Sequence, residues 1–416
     1  MTFHSIRRAP APAGLLLVLA AACSGPSDQG TPPLLTALPR SLSPAEALTA
    51  QASNGFGFDL LRAAAARRSD STYFLSPLSA TMALSLALNG ADGPTFEAMR
   101  TTLRLGDAPL ADINAGAKGL LALLGTIDPT SRLTVANSVW LDQGAGFHPE
   151  YLAAARDWYD AEASTLDFSA PSAPAAINDW VSAETGGRIP RLLDQIEPSE
   201  IAFLINAVYF KGLWRHPFDP RKTGPGEFHA VDGDQSVSMM RLEPVEHAVA
   251  GDADVQVLEM LYGNGALVMT LVVPQPGRTL AEITATLDTA RWNGWMRALQ
   301  RQKVEVTMPR FRLELSRSLK DDLSLLGMGI AFDPVQADFS RMRPVSPSAN
   351  VYLTRVLQKT FVEVNEEGTE AAAATSVGVG VTSAPPSVVI DRPFLVAIRE
   401  RFAGTILFLG QVTRIP

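Results

Sequence analysis

The chain has 416 residues, 46% hydrophobic and 19% charged, enough apolar content for one large or two ordinary domains. Its formal charge is −8, and losing Arg7 and Arg8 with an amino-terminal leader would bring it to about −10. Phosphate backbones are held by clustered Lys and Arg, and no such cluster occurs, so nucleic acid is excluded as a partner.

The amino terminus reads as an export signal over residues 1–22. His4, Arg7 and Arg8 make a positive start, residues 14–19 an apolar run, and Ala20-Ala21-Ala22 a small-residue exit. The apolar run is too short to span a bilayer stably. Cys23, the only cysteine, follows at once, so neither a disulfide framework nor a thiolate zinc site can be built. Leu19-Ala20-Ala21-Ala22-Cys23 resembles the bacterial lipobox, with Ala20 where the usual Leu stands. Lipidation of Cys23 and a membrane anchor are therefore expected, with plain cleavage and secretion as the alternative. Ser24, rather than Asp, follows Cys23, which resembles an outer-membrane address.

Residues 24–40 shift to Ser, Gly, Pro, Thr and Gln. That composition predicts a flexible tether within 23–50, and some 20 residues of coil reach roughly 25 Å. Ser43-Pro44-Ala45-Glu46 predicts a helix start, with a capping hydroxyl, Pro at the first helical position and Glu closing the box. No second linker and no repeat follow, so residues 51–416 are expected to form one domain. Helical periodicity marks 57–68, 77–89, 95–105, 110–124, 149–159, 175–185 and 319–326. Strand patterns mark 201–210, 266–273, 304–315, 360–364, 394–399 and 405–412. Helices crowd the first half and strands the second, which predicts an α+β fold.

The nucleophile elbow, the zinc-protease helix, the phosphate loop and the dinucleotide fingerprint are all absent. Beyond the leader the histidines are His148, His216, His229 and His247, and no two have the spacing of a helical metal pair. No cofactor, metal or enzymatic turnover is expected, although a triad assembled from distant residues leaves no sequence pattern.

Residues 366–386 stand apart. At period two, Thr369, Ala371, Ala373, Thr375, Val377, Val379 and Val381 share a small, nearly apolar face, and the alternates are polar, tiny or Gly. That is a strand pattern. Yet the alanines favour helix and the glycines oppose an ordered strand, so composition alone favours an irregular surface loop. No proline interrupts 366–384, and Pro385-Pro386 ends the pattern; a proline-free stretch is what insertion into a sheet requires.

Glu366-Glu367-Gly368-Thr369-Glu370-Ala371-Ala372-Ala373-Ala374 resembles the loop hinge of inhibitory serpins. Asn206-Ala207-Val208-Tyr209-Phe210-Lys211-Gly212-Leu213-Trp214 resembles that family's central strand and the Trp-bearing turn where the loop enters. Phe74-Leu75-Ser76-Pro77-Leu78-Ser79, Pro217-Phe218-Asp219-Pro220, Met308-Pro309-Arg310-Phe311, Arg392-Pro393-Phe394 and Gly404-Thr405-Ile406-Leu407-Phe408-Leu409-Gly410 extend the likeness from about residue 50 to the end.

The resemblance implies helices packed on three β-sheets, an exposed reactive-centre loop, and suicide inhibition of a serine protease. In that mechanism, the family's established behaviour, the protease is trapped as an acyl-enzyme while the cleaved loop inserts into the central sheet. Family spacing sets the reactive bond at Thr382–Ser383. Thirteen inserted residues at about 3.3 Å each would span roughly 43 Å. Thr382 and Val381 are small, and no Arg, Lys, Phe, Tyr, Trp or Leu lies between Thr369 and Pro386, so elastase-like or subtilisin-like targets are expected. The resemblance also assigns sheet-opening support to Ser76, Ser79, Asn206 and Gln358, with Trp214 at the turn. Gln358 stands where the family usually has His, so the network should not titrate near neutrality. Heparin-type activation is not expected, since residues 110–124 carry Lys118 as their only base against Asp112. A monomer is expected. The competing reading is a non-inhibitory binding or storage protein of the same fold, which a bulky or charged hinge would have signalled.

Overall fold

The computed structural model describes residues 32–143, 146–197, 200–344, 350–369 and 386–416. The first half runs α1 (Pro44–Arg67), β1 (Tyr73–Leu75), α2 (Pro77–Gly90), α3 (Gly93–Thr102), α4 (Leu110–Leu124), β2 (Ser131–Asp142), α5 (Pro149–Tyr159), β3 (Glu162–Leu166), α6 (Ala173–Glu184) and β4 (Ala202–Leu213). Four strands follow, β5 (Gly224–Ala230), β6 (Gly233–Gly251), β7 (Val255–Leu261) and β8 (Leu267–Pro274), then helices α7 (Leu280–Ala285) and α8 (Thr289–Ala298). The last part holds β9 (Gln300–Pro309), β10 (Phe311–Ser318), α9 (Lys320–Leu323), β11 (Arg355–Val364), β12 (Gly368–Thr369), β13 (Ser387–Val389), β14 (Phe394–Glu400) and β15 (Ile406–Val412). The fold is α+β, as expected.

A six-stranded sheet has the order β10-β11-β12-β4-β2-β3, with β11 and β4 also paired directly. Nine strands form the other sheet, in the order β1-β15-β14-β8-β7-β6-β9-β13 with β5 on β6. Where the resemblance implies three sheets, two are joined through β6, whose register shifts between Leu242 and Val245. Pro244 lies in that shift and has no N–H for the ladder, so the long strand changes register there without ending.

Helix α2 is buried along its whole length, which explains its apolar composition on every side. It underlies the six-stranded sheet and is started by the Ser76 hydroxyl, which accepts from Ser79 N at 3.3 Å. Along β4 the side chains alternate as a strand requires. Phe203, Ile205 and Ala207 pack with Trp140, Phe168, Ile177 and Leu357 in a core that includes α6. Leu204 and Val208 join the main core on the opposite face. Asn206 shares that inner face and is the polar exception in an apolar run.

The predicted helix at 57–68 begins earlier, at Pro44, where both halves of the Ser43/Glu46 capping box form. The predicted strand at 304–315 is two, β9 and β10, divided at Arg310. The segment 24–40, expected to be a flexible tether, is held against the domain over its described part. Leu35 and Leu38 pack on the main core, and Leu35 N donates to Asn264 O at 2.7 Å. No helix of the described residues is long and apolar enough to cross a membrane.

Candidate functional site

Three neighbouring strands bring three amides into one row beneath the six-stranded sheet. Asn206 on β4 pairs in register with Asn137 on β2 and with Gln358 on β11. Gln358 Nε2 donates to Asn206 Oδ1 at 2.9 Å, and Asn206 Nδ2 donates to Asn137 Oδ1 at 2.7 Å. Gln358 also ties the row to the start of α2, accepting from Ser76 N at 2.9 Å and donating to Ser76 O at 3.0 Å. Asn206 Nδ2 reaches Ser79 O at 3.2 Å and the Ser79 hydroxyl, while the Ser76 hydroxyl donates to Leu407 O at 2.6 Å. All five side chains are buried. Four of them were singled out in the sequence. Asn137 was not, and its only signal is a polar residue inside the run Ala136–Leu141. Every group in the row is neutral, so sheet and helix are joined here by hydrogen bonds without charge.

Trp214 does not belong to this row; it lies at the far end of β4, where the sheet has a mouth. Below the mouth β11 and β4 are bonded directly in parallel, from Arg355↔Phe203 to Phe361↔Tyr209. Above it they diverge, and β12 fills the gap, with Thr369 opposite Val364 on one side and Gly212 on the other. Gly368 is required by contact: a Cβ there would lie 2.1 Å from Gly212 O. Thr369 is fully buried, and its hydroxyl pairs with Tyr262 OH at 2.8 Å. Burial pushes the Tyr262 phenol pKa well up, so it stays protonated. Trp214 stacks on Tyr262 with ring centroids 4.5 Å apart. Its indole donates to Asn365 O at 2.9 Å and its backbone N–H to Glu367 O at 2.8 Å.

The hinge carboxylates differ from each other. Glu366 is buried and accepts two bonds from Arg310 Nη2, at 2.9 and 2.8 Å, and one from the Thr223 hydroxyl at 2.7 Å. Arg310 is half exposed, so the pair is a buried anion held by a cation at the surface. Glu367 has one oxygen without a hydrogen-bond partner among the described residues. Burial first, then the neighbouring Glu366 charge, raise its pKa, against the pull of Lys211. Thr223 and Tyr262 carry no sequence signal, and Arg310, although within the Met308-Pro309-Arg310-Phe311 motif, gives none of its contact with Glu366, because each lies far along the chain from the residue it touches. Of the other sites named from sequence, Glu370, Ala371, Ala372, Ala373, Ala374, Thr382, Ser383 and Cys23 lie outside the described residues. Among the described residues no three His, Cys, Asp or Glu are grouped to hold a metal ion.

The arrangement is a closed sheet whose mouth already holds the first two residues of a following segment. Comparison with known proteins agrees with this architecture. The family model described as Serpin (serine protease inhibitor) matches residues 51–415. Human Serpin B8 is 34% identical over 370 residues, covering 87% of this chain and 98% of its own length. An uncharacterised serpin-like protein of Thermococcus kodakarensis is 33% identical, covering 87% of this chain and 84% of its own. Among solved structures, the thermophilic serpin tengpin in its native state superposes with a TM-score of 0.82 at 27% identity, over 90% of this chain and 96% of its own. Human thyroxine-binding globulin complexed with thyroxine also gives 0.82, at 28% identity over 89% of this chain and 99% of its own. With a family model matching nearly the whole domain and relatives above 30% identity over most of their length, the chain belongs to the serpin family, most of whose members inhibit serine proteases.

Proposed function

We propose that the protein is a single-use inhibitor that traps a serine protease as an acyl-enzyme on Thr382 and inserts its cleaved loop between β11 and β4. Gly368–Thr369 carries this reading. Thr369 is paired on both sides at the mouth and Gly368 on the β4 side, while the strands below are still bonded to each other. Insertion replaces one parallel ladder by two antiparallel ones. The net gain is on the order of ten backbone hydrogen bonds at roughly 0.5–1.5 kcal/mol each. Small, uncharged side chains at alternate positions fit the face that enters. Dragging the acyl-serine away from its oxyanion donors removes about 3–4 kcal/mol of transition-state stabilisation, and hydrolysis stalls. The uncleaved inhibitor is then secure kinetically rather than thermodynamically.

The target class is elastase-like or subtilisin-like, because Thr382 leaves a trypsin pocket's carboxylate unpaired and a chymotrypsin slot largely empty. The protein is exported, anchored through a lipid on Cys23, monomeric, and independent of heparin-type activators. Incubation with elastase, subtilisin, chymotrypsin and trypsin, followed by denaturing gels, tests the proposal. A covalent complex with either of the first two, and a released fragment beginning at Ser383, is the expected result. Loop cleavage without a complex would favour the carrier or storage reading.

A further inference from the structure

The segment that precedes α1 is fastened to the domain at two places. At one end Arg40 donates to both carboxylate oxygens of the buried Glu46, at 2.7 and 2.6 Å. At the other, the backbone meets the turn between β7 and β8. Leu35 N donates to Asn264 O at 2.7 Å, and Arg401 Nη2 donates to Leu35 O at 2.6 Å. Arg215 Nη1 donates to Pro32 O at 3.0 Å and to Gly263 O at 2.9 Å. Leu34 lies so close over Gly265 that a Cβ there would be 2.6 Å from its Cδ1.

That turn and Arg215 belong to the sheet mouth. Arg215 follows Trp214 directly as the chain leaves β4, and Gly263 N donates to Leu213 O at 2.8 Å. Tyr262, which opens the turn, bridges to Trp214 and holds the Thr369 hydroxyl. For more of the loop to enter, the parting of β4 from β11 at Thr369 must extend down the sheet, and the end of β4 must move with it. A segment that ties Arg215 to the β7–β8 turn resists that parting.

We infer that Pro32–Ser41 is a strap that holds the sheet mouth closed around Thr369 through Arg215, Asn264 and Arg401, and so sets how long the uninserted state lasts. The inference rests on the inhibitory reading for its consequence and not for its contacts. Since the strap begins nine residues after Cys23, the same stretch of chain that would leave the membrane also governs the hinge.

Leu35→Pro in the full chain removes the N–H that reaches Asn264, and deletion of residues 32–39 removes the strap's contact with the turn altogether. Two quantities are read on each: the half-time of spontaneous conversion to the inserted form on warming, followed by mobility in urea-gradient gels, and amide hydrogen exchange. Both variants should convert roughly tenfold faster or more, as the loss of one to three hydrogen bonds implies. Exchange should rise at 212–214 and 366–369 and stay unchanged in β14 and β15. Equal half-times with and without the strap overturn the inference, as does a uniform rise in exchange across the chain, which would mark general destabilisation. An intact chain that traps no protease removes the inhibitory reading, while the exchange measurement still decides the strap.

Discussion

The amide row and the sheet mouth lie along the same strands, β4 and β11, and are held by opposite means. Asn137, Asn206 and Gln358 are neutral, buried and bonded in a chain to Ser76 and Ser79. The mouth contains two acidic side chains, one ion-paired and one raised in pKa, with a cation half in water. A neutral row opens and closes at a cost that pH and salt barely touch. A charged mouth responds to both. The central sheet is thus fastened in the middle by an insensitive catch and at the end by a sensitive one.

The largest effect is expected at the mouth. Thr369→Arg places an unpaired charge in a fully buried site beside Tyr262, and the entering strand cannot carry it there. The variant should be cut as a substrate with no covalent complex on denaturing gels; unchanged trapping stoichiometry would refute insertion at this point. Glu366→Lys sets a second cation against Arg310 and should cost about 2–4 kcal/mol in chemical denaturation. Glu366→Gln can keep the Thr223 bond and one Arg310 bond but loses the charge and the second acceptor, so about 1–2 kcal/mol is expected, with the salt dependence of the parent reduced.

Acid response needs separating from a group outside both regions. His247 on β6 is buried with neither ring nitrogen partnered among the described residues, and burial pushes its pKa down to about 4. Unfolded, a histidine takes its proton below about pH 6.5. The unfolded state therefore binds more protons across that window. Stability is full above about pH 6.5 and falls toward pH 4, by about 2–3 kcal/mol. His247→Leu should flatten this fall in denaturation curves taken across the range, and a wild-type curve already flat would contradict the assignment.

The smallest effect sharpens the comparison most. Gln358 donates twice and accepts once, whereas a neutral imidazole donates once and accepts once. Gln358→His should cost roughly 0.5–1.5 kcal/mol at neutral pH. Burial would hold the new histidine's folded pKa below its unfolded value, so a further loss should develop below about pH 6.5. Measured in a His247→Leu background, that added acid sensitivity would show that Gln358 keeps the catch insensitive; its absence would mean that the row does not carry the strain of opening.

Much of this was legible in the chain itself. The strand patterns at 201–210 and 360–364 mark β4 and β11, the two strands that flank Gly368 and Thr369. The capping residues Ser43 and Ser76 set the starts of α1 and α2, because capping and periodicity are local and survive in one dimension. Tertiary structure alone decided which polar residues meet. Thr369 and Tyr262 are 107 residues apart, and Ser76 and Gln358 are 282 apart. Asn137 joins the row only because β2 pairs with β4 in one register, and a slip of one residue would turn it to the other face. The segment 32–40 has the composition of a tether, yet it is held by main-chain groups, the Leu35 N–H and the Pro32 and Leu35 carbonyls. Composition of the segment cannot announce such bonds, because they depend on where Asn264 O and the Arg215 and Arg401 side chains lie and not on the segment's own side chains.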